Sequence, residues 1–272
     1  MSSMKHQTIK VCCSVGNPSS IGGCGDYTAR GRVFQLPDNG PAAYLTEPSD
    51  GNATNRGAIV ALYDIFGFDI IQTRRFVDSL ASATSMRVVM PDVFRGKPWS
   101  LDKFPPKDFK EYQNWVETAG TWDVVAKDIV ASHKFLLSKG LQECAPLGIL
   151  GFCWGGARAM QACSGDTYGK LLGGIHVASG VALHAAFFGP EDAERVTVPI
   201  FLMPSGSDPA IEPIKAIWDR KPFGPRCGYK RFDNEVHGFA AARGDWNVNH
   251  TREAILEAIK LSADFFVKNL LD

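Results

Sequence analysis

Three residues have the types and the order to do chemistry together: Cys153, Asp208 and His237. Cys153 lies in GFCWGG (151–156), between the apolar run PLGIL and the helix-like run ARAMQACS. The pattern is that of a nucleophile elbow, G-x-S-x-G, with cysteine replacing serine. The glycines have a physical reason, because side chains at 151 and 155 would collide where strand and helix close together. A helix starting after Cys153 would aim its positive end at the sulfur and lower the thiol pKa. The Trp154 backbone N–H would then serve as one oxyanion donor. Taken alone, the six residues also admit a plainer role, a small buried residue in a tight corner.

A nucleophile needs a base and a group to orient that base, here in the chain order nucleophile, Asp, His. Asp208 follows the apolar run VPIFLM within PSGSDPAI, and His237 follows GYKRF within DNEVHGF. Both should fall at carboxyl ends of strands, the edge where open α/β sheets bind ligands. The other histidines fit less well. His133 is placed mid-helix, His176 inside a strand and His6 in the tail, while His250 opens the last helix. His184, in a loop of uncertain form, is the runner-up base.

The elements that must position these groups alternate. Short apolar runs at 58–63, 86–90, 146–150, 173–178, 198–203 and 228–232 are separated by helical patterns at about 70–84, 121–139, 154–164, 212–219 and 251–270. Val125, Ile129 and Leu136 share one helix face, as do Ile255, Ile259 and Phe266. Such alternation predicts an α/β fold, a mostly parallel sheet with helices on both faces. RVFQL and AAYLTEP flank PDNG and predict a short N-terminal hairpin. Residues 1–30 read as an irregular lead-in, and no repeat or linker divides 1–272, so one domain is expected. The aromatic, proline-rich segment 96–118 could wall or cover a site, or simply form a surface loop with a short helix.

Composition narrows the partners. Lys+Arg and Asp+Glu both number 29, so no basic field exists for nucleic acid. No apolar run is long enough for a membrane span and no signal-peptide h-region is present, so a cytoplasmic location is expected. Seven irregularly spaced cysteines fit reduced thiols better than a disulfide framework. Cys12, Cys13, Cys24 and His6 match no zinc-ligand spacing, and GGCGD (22–26) follows no strand, which weakens a dinucleotide reading.

With those residues in place, the sequence resembles the dienelactone hydrolase family (carboxymethylenebutenolidase-like α/β-hydrolases) over about 40–270. The matching motifs are YDIFGF (63–68), PDVFRG (91–96), GFCWGG, SGSDP and HGFAAARGD, and the CCS near the start looks like the lead-in of fungal members. The resemblance implies an α/β-hydrolase fold and a Cys-His-Asp triad of Cys153, His237 and Asp208. It also implies an oxyanion hole of the Ile65 and Trp154 backbone N–H groups. Asp64 matches a family glutamate that contacts the resting thiol, one methylene shorter here; a plain turn residue is the other reading. Arg95 and Arg243 match arginines that hold a substrate carboxylate, although the spacing of Arg243 from His237 departs from the bacterial pattern.

The expected function is hydrolysis of a small ester or lactone, anionic or aromatic in character, through an acyl-enzyme. No metal or organic cofactor is implied. The same triad could instead serve non-hydrolytic acyl transfer, isomerisation or cyclisation in a biosynthetic pathway, and a non-catalytic binding protein or thiol sensor is the third reading. Monomer and homodimer are both compatible with the sequence.

Overall fold

The computed structural model describes residues 23–272. The CCS stretch, His6, Cys12 and Cys13 lie outside the described residues. The chain runs β1 (Arg32–Gln35), β2 (Ala42–Thr46), β3 (Ala58–Leu62), α1 (Ile71–Thr84), β4 (Arg87–Pro91), α2 (Phe109–Thr118), α3 (Trp122–Ser138) and β5 (Leu147–Phe152). It continues through α4 (Trp154–Ala162), α5 (Thr167–Lys170), β6 (Val177–Leu183), α6 (Pro190–Arg195), β7 (Ile200–Met203), α7 (Glu212–Trp218), β8 (Gly228–Tyr229) and α8 (Asn249–Leu270).

The strands form one sheet in the order β1-β2-β4-β3-β5-β6-β7-β8. The β1–β2 hairpin is antiparallel, and β2 joins β4 antiparallel, whereas every pairing from β4 to β8 is parallel. Asp38 and Asn39, the two central residues of the hairpin turn, both take positive φ, 58° and 56°, as a type I′ turn requires. All residues of β3 and β5 are buried, which explains why their sequences are apolar throughout and do not alternate.

The two faces of β5 show how the layers divide. A side chain at Gly148 would strike Phe266 of α8, and Phe152 packs edge-on against Phe76 of α1. One at Gly151 would strike the backbone of α4. Because alternate strand residues face opposite sides, α1 and α8 cover one face and α4 the other. Val125, Ile129 and Leu136 of α3 are fully buried, and Ile255, Ile259 and Phe266 of α8 nearly so, as the helical spacing predicts. Tyr44 Oη, Tyr27 Oη and the Arg30 amide all donate to the buried Asp78 carboxylate, which ties the irregular lead-in to α1. No helix among the described residues is long and apolar enough to cross a membrane.

Two expectations shift. The strand predicted at 173–178 begins only at Val177, because Gly173 and Gly174 take positive φ (63° and 86°) and turn the chain there. His176 therefore precedes the strand. The last strand shrinks to Gly228–Tyr229, with one further bridge from Phe232 to Ser205. The short helix allowed within 96–118 is α2, whose start is fixed by the Asp108 carboxylate accepting the Lys110 and Glu111 amides.

Candidate active site

Cys153 occupies the single residue between β5 and α4, with φ 51° and ψ −112°. That conformation is sparsely populated for a residue with a Cβ and costs about 1–3 kcal/mol. Its surroundings hold it there. The Cys153 amide donates to Leu183 O at 3.0 Å, and its carbonyl accepts from the Ala186 amide at 2.9 Å and the Gly156 amide at 3.0 Å. The Gly155 amide donates to Tyr63 O at 3.2 Å, so the turn after β3 and the turn after β5 lie side by side.

The glycines of the elbow are sterically forced. A Cβ at Gly151 would sit 2.1 Å from Gly155 O, and one at Gly155 would sit 2.1 Å from Leu62 O. The obstacles are backbone atoms in a fully buried strand and a helix, so neither can yield cheaply. Gly155→Ala is expected to destabilise the protein by about 3 kcal/mol. A urea midpoint unchanged from wild type would show that α4 can lift from β3 without cost.

Asp208 lies in the loop after β7 and His237 in the loop after β8. His237 Nδ1 is 2.6 Å from Asp208 Oδ1. The other carboxylate oxygen, Oδ2, accepts the Ser205 amide at 2.7 Å and the Ser205 hydroxyl at 2.9 Å. The two loops are further stitched by the His237 amide donating to Ser207 Oγ (2.9 Å), the Gly206 amide to Glu235 O (2.9 Å), and Arg231 to the carbonyls of Gly206 and Pro209. Asp208 is 7% exposed and His237 2%. Burial pushes the Asp208 carboxyl up, but the His237 ring and the Ser205 amide outweigh it and hold the pKa below the usual carboxylate value. The serines and Arg231 were not foreseen; hydroxyls flanking an aspartate in SGSD were the available signal.

The remaining expected residues divide. Ile65 lies in the turn after β3, where Asp64 O accepts the Gly67 amide, Asp64 Oδ1 accepts the Phe66 amide at 2.9 Å, and Ile65 O accepts the Trp99 amide at 2.9 Å. Asp64 Oδ2 also accepts the Ala242 amide at 3.2 Å. The carboxylate thus joins the β3 turn to the segment after His237. Arg243 donates to His237 O at 2.8 Å and lays its guanidinium 5.0 Å from the Phe104 ring centroid, so it is part of this locality. Arg95 is directed elsewhere. Its guanidinium grips Asp128 with two bonds of 2.7 and 2.8 Å and also donates to Asp92 O and Val93 O. It lines a cleft with Pro37, Asn39, Lys127 and Lys134 that contains no triad residue. Arg95 is thus placed in an ion pair with a nearly buried aspartate, a partner on α3 that the motif PDVFRG could not reveal.

Segment 96–118 packs as a wall. Trp99 meets Tyr112 and Trp115 at ring distances of 5.0 and 5.6 Å, Phe94 bridges Trp115 and Trp154, and Phe104 stands edge-on to Phe66 at 5.3 Å. The wall thus joins the β3 turn, the elbow tryptophan and Arg243. Among the described residues no group of three or more His, Cys, Asp or Glu is placed to hold a metal ion.

A mostly parallel sheet with a strained cysteine turn between β5 and a helix, an aspartate after β7 and a histidine after β8 defines an α/β-hydrolase fold. The dienelactone hydrolase family model matches residues 42–270, and the chain belongs to that family; it is an ester or lactone hydrolase. A carboxymethylenebutenolidase homolog of Xenopus tropicalis is 24% identical over 260 residues, covering 94% of each chain. The Homo sapiens homolog is 25% identical over 263 residues, also 94% of each. In fold, the chain resembles the dienelactone hydrolase of Anabaena variabilis, with a TM-score of 0.59, 14% identity, and coverage of 88% of this chain and 99% of that one.

Proposed function

We propose that the protein hydrolyses a small carboxylic ester or lactone through Cys153, His237 and Asp208. The observation that carries this reading is the 2.6 Å His237–Asp208 contact in the loops after β7 and β8, together with a cysteine held at φ 51° between β5 and α4 of the same sheet. His237 takes the Cys153 proton as the sulfur bonds to the carbonyl carbon. The carbonyl oxygen becomes an oxyanion, proposed to be held by the Ile65 and Trp154 amides. Collapse breaks the bond to the leaving oxygen, which receives the proton from His237. Water, deprotonated by the same ring, then releases the acid and restores the thiol.

The aromatic wall and the Arg243 guanidinium on Phe104 support a planar or anionic substrate, since a guanidinium grips a carboxylate well. Asp64, 3% exposed at the foot of the β3 turn, is retained as the proposed partner of the resting thiol.

The test is intact-mass spectrometry after brief incubation with a panel of lactones and activated esters. The expected result is an acyl adduct that maps to Cys153, absent after prior iodoacetamide treatment. Turnover without any adduct at Cys153, with the thiol fully alkylated, would overturn the reading.

A further inference from the structure

His184 is the first residue after β6, the strand between the nucleophile's strand and the acid's strand. Its ring is fully buried, and neither ring nitrogen has a hydrogen-bond partner among the described residues. Its backbone is held in the left-handed region at φ 36°, with the amide donating to Met203 O at 2.8 Å. The adjoining residues Leu183 and Ala186 hold the Cys153 backbone from below. The His184 ring lies 5.1 Å from the His237 ring in an edge-on arrangement, with Phe239 at 5.7 Å and Phe152 at 6.1 Å.

A phenylalanine would fill the space between Phe152 and Phe239 without leaving two buried nitrogens unmet, and unmet buried polar groups are costly. A strained backbone and an unsatisfied ring side by side are the signature of a position kept for function. The bond to Asp208 goes to His237 and not to His184, which sets His184 apart from the proposed base. Burial, then the neighbouring His237, hold its pKa well below that of a free histidine, so it stays neutral. The charged or titratable groups that act on it are His237 and Asp208, from the loops after β8 and β7, and Arg243.

We infer that His184 is a positioning residue for His237: a neutral polar ring under the catalytic imidazole that fixes its orientation and eases its protonation in an otherwise aromatic floor. The inference rests on His237 being the base. When His237 takes the thiol proton it becomes a buried cation, and the polarity of what it packs against decides how far that state is disfavoured. A phenyl ring in place of His184 keeps the packing and removes the polar nitrogens. The His237 imidazolium should then lose its proton more readily.

The experiment is the pH dependence of kcat and kcat/KM for an activated ester with wild type, His184→Phe, His184→Gln and Cys153→Ala. For His184→Phe, the acid limb of kcat/KM is expected to move down by roughly half to one pH unit. Its kcat should fall about threefold to tenfold with KM within about twofold, the effect falling on the reacting state rather than on binding. His184→Gln, polar and neutral, should return the limb towards wild type. A limb that stays in place or moves up in His184→Phe would overturn the inference, since loss of packing alone lowers rate without moving it. If Cys153→Ala keeps its activity, the underlying reading fails instead, and the two failures are distinct. Should His184→Phe not fold, 15N NMR of histidine-labelled wild type decides. His184 is expected to show a neutral ring throughout pH 5–8, and titration within that range would overturn the inference.

Discussion

Cys153→Ala is expected to lower turnover of an activated ester or a dienelactone by about 10⁴-fold or more while the fold stays intact. The substitution deletes the atom proposed to bond to the carbonyl carbon and leaves the surrounding amides in place. Residual activity would come from oxyanion donors and binding alone, which by analogy with other triads exceed uncatalysed water by roughly 10³–10⁴. The fold should tolerate the change. The side chain is 2% exposed, so removing sulfur leaves a small cavity costing about 1 kcal/mol, and alanine meets the same backbone demand at φ 51° as cysteine. Initial rates beside near-UV circular dichroism separate the two effects. Near wild-type rates in a folded variant would sink the thiol mechanism outright. Cys153→Ser tests less, because a hydroxyl is a weaker nucleophile than a thiol beside the same base.

The parallel sheet was legible because a fully buried strand must be apolar throughout and its flanking helices must carry a 3.6-residue stripe. The runs at 58–63, 86–90, 146–150 and 198–203 and the faces of α3 and α8 follow from that constraint. The start of β6 was not legible. Its sequence, VASGVAL, is built of small residues that pack beneath α4, whereas GGIHVA looked more strand-like until the paired glycines turned the chain. The chain order of Cys153, Asp208 and His237 was readable because each sits within a few residues of a strand's end. What arranges them was not readable, because it depends on residues remote in sequence. Ser205 and Ser207 clamp the acid and base loops, Asp128 captures Arg95 from α3, and Ala242 engages Asp64 across 178 positions. His184 illustrates the same limit. The sequence could rank it as a runner-up base, but only the fold shows its ring buried and edge-on to that of His237 at 5.1 Å.

Asp208→Asn should lower kcat by roughly 10³–10⁴-fold with KM little changed, and the reason lies in how its two oxygens are used. Oδ1 meets His237 Nδ1, while Oδ2 accepts both the amide and the hydroxyl of Ser205. An asparagine has one oxygen and one NH2 group, so neither orientation can serve both sides. With NH2 towards His237, the ring must offer a lone pair at Nδ1 and carry its proton at Nε2, the tautomer that cannot accept the thiol proton there. With NH2 towards Ser205, two donors face each other in a buried loop. The stability consequence follows the sign of the Asp208 shift. Its folded pKa lies below the unfolded value, so its contribution is present above the usual carboxylate pKa of 3.8 and is lost as pH falls through the folded value. Asp208→Asn should therefore be less stable than wild type by about 1–3 kcal/mol at pH 7, with the gap closing on acidification below the usual carboxylate range. Urea midpoints at neutral and acid pH measure that gap, and rate profiles measure the tautomer. A variant that lost stability yet kept its kcat would leave Asp208 as a loop clamp and remove it from the reaction.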